Sequence, residues 1–133
     1  MDRAHGDGLG RVSPEERDYF AIGMLQGEVF NGGFHQYFAN SSGDLFDLTV
    51  AALERRGAKD ALAALMDAKR LVFGAEPVGD RTQRNAALDR LEGDAEVKAG
   101  LQACDGRLCA MDRSLGEIMQ EFAVANGFYP RPD

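Results

Sequence analysis

Histidine, tyrosine and amide side chains crowd one short stretch of this 133-residue chain, Asn31-Gly32-Gly33-Phe34-His35-Gln36-Tyr37-Phe38-Ala39-Asn40-Ser41-Ser42-Gly43-Asp44. His35 beside Gln36 and Tyr37 is the kind of grouping that acid–base chemistry would need. Nothing else in the sequence supports such chemistry. There is no serine or cysteine nucleophile beside a base, no glycine-rich phosphate cradle followed by Lys-Ser or Lys-Thr, and no paired-histidine metal spacing. A lone histidine of this kind is expected on the surface. Cys104 and Cys109 are five apart, about 140° around a helix, with no companions to complete a metal site. They read as small core or half-buried hydrophobes. No catalytic residue, metal or cofactor is therefore expected, and the chain reads as a protein that binds rather than reacts.

Charge gives the first hint of what it binds. The 22 acidic and 15 basic residues leave a net charge of -7, which disfavours direct contact with nucleic acid and favours basic proteins. That charge is segregated: -6 over residues 1–54, +3 over 55–88, -4 over 89–121, and zero beyond. The basic middle holds Arg55, Arg56, Lys59, Lys69, Arg70, Arg81 and Arg84, so the whole surface cannot be of one sign. Carboxylates that repeat on helix faces are Asp44, Asp47 and Glu54, Asp105 and Asp112, and Glu117 and Glu121. Seven-residue separations place such charges about 10 Å apart and four-residue ones about 6 Å. They are the candidate acidic interaction surface, with a merely solubilising role as the alternative.

The elements that must carry these residues are all helical, and alternating β-branched runs are absent. Residues 1–12, with Gly6, Gly8 and Gly10, read as a flexible tail. Ser13-Pro14-Glu15-Glu16 is a helix start, and the first helix is expected to run to about Val29 with Phe20, Gly23, Met24 and Gly27 facing partners. Leu45, Leu48, Thr49, Ala52 and Leu53 mark a helix ending at Gly57; Leu62, Leu65, Met66, Lys69, Val72 and Phe73 mark another ending at Gly74. Asp80-Arg81-Thr82-Gln83 has the form of a capping box opening a short helix that breaks at Glu92-Gly93-Asp94. From Val97 the apolar positions 97, 101, 104, 108, 111, 115, 118, 122 and 125 alternate steps of four and three. This predicts a long bundle helix, or two helices hinged near Asp105 and Gly106. The expected architecture is a single-domain, all-α bundle of five to seven helices over residues 13–128, with a short tail over 129–133. A charged-then-apolar leader and a membrane-length apolar run are both missing, so the expected location is the cytoplasm.

Within the 31–44 stretch, Gly32 and Gly33 can end one helix and start another, and Ser41, Ser42 and Gly43 can do the same beyond it. Between these hinges fits a short helix with Phe34, Tyr37 and Phe38 buried as a plug. Asn31, Gln36, Asn40 and the serines are left to bond backbone groups freed at the hinges.

This string resembles the signature of the bacterial DNA mimic protein family, a C-terminal-type domain of unknown function with a segment of the form NGGFxQYFxNSSGD. The match over Asn31 to Asp44 is almost letter for letter, with His35 at the variable position. The resemblance implies an all-helical fold, admits a homodimer, and in the member that names the family implies an acidic surface that occupies a transcription factor's DNA site. Two alternatives stay open: a toxin-neutralising or regulatory interaction protein that mimics nothing, and a small-ligand module on the polar side of Asn31, Gln36, Tyr37 and Asn40.

Overall fold

The computed structural model describes residues 14–110, and every regular element within them is helical. Five α-helices follow one another: α1 (Pro14–Ala39), α2 (Phe46–Arg55), α3 (Lys59–Phe73), α4 (Arg81–Arg90) and α5 (Ala95–Ala110), with a 3-10 turn over Ser41–Leu45 between the first two. The expected tails, Ser13, and the stripe beyond Ala110 lie outside the described residues.

α1 departs from expectation in two ways. It continues through Asn31 and Gly32 and breaks at Gly33 alone, where φ is 79° and ψ is -177°. Its buried face is Ala21, Ile22, Leu25 and Val29, whereas Phe20 stays 47% exposed. Apolar Phe20 therefore does not mark the packing side; the i, i+3, i+7 set of Ile22, Leu25 and Val29 does.

α2 and α3 bury Phe46, Thr49, Ala52 and Leu53, and Ala61, Ala64, Leu65, Ala68 and Val72, and end before Gly57 and Gly74 as the periodicity requires. The capping box that opens α4 is present in both directions: Asp80 Oδ1 accepts from the Gln83 amide at 2.8 Å, and Gln83 Oε1 accepts from the Asp80 amide at 2.9 Å. Such reciprocal bonds satisfy two orphan donors.

α5 runs unbroken through Asp105 and Gly106, so there is no hinge there. It packs against α1 and α3 and buries Leu101, Cys104 and Leu108. Gly100 lies under Leu71, and Arg107 reaches Asp67 at 2.7 Å, so α5 runs antiparallel to α3. One continuous core joins all five helices, and Phe34, Tyr37 and Phe38 sit in it with no exposed surface. Among the described residues no helix is long and apolar enough to cross a membrane.

Candidate functional site

The signature segment forms the last part of α1, from Phe34 to Ala39, and the turn that follows. Its three rings interlock: Tyr37 meets Phe38 edge-on at 5.3 Å, and Phe38 meets Phe73 of α3 edge-on at 5.2 Å. Edge-to-face pairs of this kind add about 0.5–1.5 kcal/mol beyond burial. The Tyr37 hydroxyl donates to Thr49 Oγ1 at 3.3 Å, and the Thr49 hydroxyl donates to the Leu45 carbonyl at 2.8 Å. Burial pushes the Tyr37 phenol up to about 12, against the Thr49 bond. Tyr37 is thus a neutral core group, not a proton donor or acceptor near pH 7.

Two charged residues hold the ends of this segment. At its start the kink frees the Phe34 amide, which donates to Asp105 Oδ1 of α5 at 2.8 Å. Only glycine fits at position 33, because φ is positive and a Cβ would overlap the Asp105 carboxylate. At its end Arg84 of α4, 0% exposed, donates through Nε to the Phe38 carbonyl at 2.7 Å and through Nη2 to the Asn40 carbonyl at 2.9 Å. Its Nη1 serves the Gly79 carbonyl at 2.8 Å and Asp44 Oδ1 at 2.8 Å. Gly43 lies against this guanidinium, where a Cβ would strike Nε. A carboxylate at a helical N-terminus and a cation at the C-terminus match the sign of the helix dipole.

Expectation gave these tasks to the amides and serines; the structure gives most of them to charges, with Ser42 alone of the expected set bonding a backbone group at the far end. Gln36 and Asn40 instead donate to one carboxylate oxygen, Glu28 Oε1, at 2.8 and 3.1 Å. They tie the end of α1 to its own earlier turn. Ser42 donates to the Tyr37 carbonyl at 2.8 Å and is buried, whereas Ser41, Asn31, Gly32 and His35 are exposed. Arg84 and Asp105 could have been noticed in the sequence as charges on apolar stripes. Arg84 falls in step with Ala87, Leu88 and Leu91, and Asp105 with Leu101 and Leu108.

The candidate carboxylates consequently divide. Asp47 and Glu54 are exposed on one face of α2, and Asp44 is 59% exposed but ion-paired to Arg84. Asp105 is turned inward onto Phe34, and burial raises its pKa although the Phe34 amide works the other way. Asp112, Glu117 and Glu121 lie outside the described residues. Much of the basic stretch is neutralised internally. Asp18, 2% exposed, binds both Arg55 (Nε at 2.9 Å) and Arg56 (3.0 Å), and Asp67 binds Arg70 and Arg107. Burial pushes the Asp18 pKa up, but hydrogen bonds and charge from the two arginines outweigh it and hold it low. The Arg107 hydrogen bond does the same for Asp67, with Arg70 assisting.

Cys104 is buried, its thiol pushed up by desolvation, and Cys109 is half-buried. Among the described residues no three of His, Cys, Asp and Glu converge as a metal ion requires. A family model described as DMP19-like protein matches residues 10–126. No curated protein and no solved structure matches the chain.

Proposed function

Since the chain belongs to the DMP19-like protein family, we propose that it works by binding, without catalysis, and presents carboxylates to the DNA-binding surface of a basic protein such as a transcriptional regulator. The family match over residues 10–126 carries this reading. The arrangement of α2 gives it physical form. Asp47 and Glu54 are exposed and seven residues apart, about 10 Å along the helix, so they offer two negative points on one face. The segment they follow is fixed at both ends, so the charges sit on a rigid base, and pre-organised groups lose little entropy on binding.

The amide side of the signature favours a structural role. Gln36 and Asn40 are engaged by Glu28 and Tyr37 is buried, which leaves few convergent polar groups for a small ligand.

The test is association with a purified DNA-binding regulator of the host, measured at low and high salt with the regulator's own DNA as competitor. Binding is expected to weaken steeply with salt and to be displaced by DNA. Reversing Asp47 and Glu54 to lysine is expected to slow association, while Lys59→Glu does not. Binding that ignores both salt and DNA would instead make this a general interaction protein.

A further inference from the structure

The end of α3, the following loop and α4 enclose a groove of about 340 Å³. Phe73 and Ala87 form part of its apolar lining, with Pro77 and Ala86, and Glu76 and Arg90 contribute the charges. Both charged residues are exposed, and among the described residues neither has an ionic partner. They are opposite in sign and both line the groove, unlike the charges that pair internally. Arg84 holds Asp44, Lys98 holds Glu92, and Asp67 holds Arg70 and Arg107.

The groove is linked to Asp44 through one buried nitrogen. Gly79, in its lining, gives its carbonyl to Arg84 Nη1, the same nitrogen that holds Asp44 Oδ1. The volume is at the small end for ligand sites, suited to one large side chain rather than a cofactor.

We propose that this groove is an anchor pocket for a protein partner: it receives an aromatic or large aliphatic side chain flanked on one side by a basic residue, for Glu76, and on the other by an acidic residue, for Arg90. The proposal rests on the functional reading above only in taking the partner to be a protein. Charge complementarity to a DNA-binding surface supplies rate and orientation, and a desolvated side chain in a pocket supplies affinity that salt does not remove. DNA has no such side chain to offer, so the groove would let a regulator bind this protein in a way it cannot bind its operator.

The probe is a blocked peptide, Lys-Ala-Phe-Ala-Glu, titrated into the full-length protein while backbone amide resonances are followed. Saturable shifts at Phe73, Gly79 and Ala87 are expected, with a dissociation constant on the order of 1 mM. Alanine in place of the peptide's phenylalanine is expected to abolish them. Ala86→Trp, which fills the groove from the exposed side of α4, and Arg90→Glu, which removes the cation, should each weaken binding about tenfold with unchanged circular dichroism. No shift at those amides up to about 10 mM, or equal binding of the alanine peptide, would overturn the proposal. Either failure leaves the Asp47 and Glu54 reversals as a separate readout of the α2 carboxylates, so loss of the pocket and loss of the functional reading are told apart.

Discussion

Asp105 and Arg84 grip opposite ends of the same helical segment, the carboxylate on the Phe34 amide and the guanidinium on the Phe38 and Asn40 carbonyls. Two buried or half-buried charges of opposite sign thus do the work that neutral caps do in most helices. Each is held by backbone groups, which for Asp105 offset only part of the desolvation that burial imposes.

Removing the cation should be the more damaging change. Arg84→Ala leaves the Phe38, Asn40 and Gly79 carbonyls without their donor and is expected to destabilise the fold by about 2–4 kcal/mol. Arg84→Lys keeps the charge but cannot span the carbonyls of Phe38, Asn40 and Gly79, and should lose roughly 1.5–3 kcal/mol. Urea denaturation of the two variants measures the difference.

Asp105 should behave in a way a simple surface acid would not. Its pKa is raised by burial, so the folded state binds its proton more tightly than the unfolded chain does. The stability this contributes is present below the unfolded value and is lost as pH rises through the raised folded value. At neutral pH the ionised group is a standing cost. Asp105→Asn keeps an oxygen for the Phe34 amide and should be neutral or stabilising at pH 7, while Asp105→Ala should lose about 1 kcal/mol. Melting curves from pH 4 to 8 should show a shallower decline for the asparagine variant.

Asp18 should carry the opposite slope. Its pKa is lowered in the fold by Arg55 and Arg56 despite burial, so its contribution is present above the unfolded value and lost as pH falls through the lowered folded value. Asp18→Asn is expected to destabilise by about 1–3 kcal/mol at pH 7, toward the low end because Arg55 is half exposed, and to flatten the acid limb of the stability curve.

Phe38 touches Phe34, Tyr37, Phe46 and Phe73. Phe38→Ala should cost about 3–5 kcal/mol and lower the melting temperature by more than about 10 °C. An unchanged melting temperature would place the ring outside the core.

Much of this was readable from local pattern. The α4 capping box and the stops at Gly57 and Gly74 depend on residues within a few positions of one another, and so did the expectation that Phe34, Tyr37 and Phe38 are buried. The caps of the signature segment depend on residues 46 and 71 positions away, and no local rule pairs Phe38 with Arg84 or Phe34 with Asp105. Gly32 and Gly33 offered two equivalent places for a break, and only at the second is the backbone left-handed, with Asp105 of α5 in the space a Cβ would take and bonded to the next amide. The same limit applied to α1, where Phe20, Gly23, Met24 and Gly27 were expected to face partners, whereas Phe20, Gly23 and Gly27 are exposed and the buried face is Ile22, Leu25 and Val29.

The kink at Gly33 also bears on the order in which the chain can fold. Its freed amide has no partner until Asp105 arrives from α5, a loop of 71 residues, and the closure entropy of such a loop comes before any contact offsets it. The segment can therefore gain this end cap only after α5 has docked, although its residues are made before α5. Until α5 docks, a nascent chain holds Phe34, Tyr37 and Phe38 without their final helix cap, and this interval is when exposed rings invite misassociation.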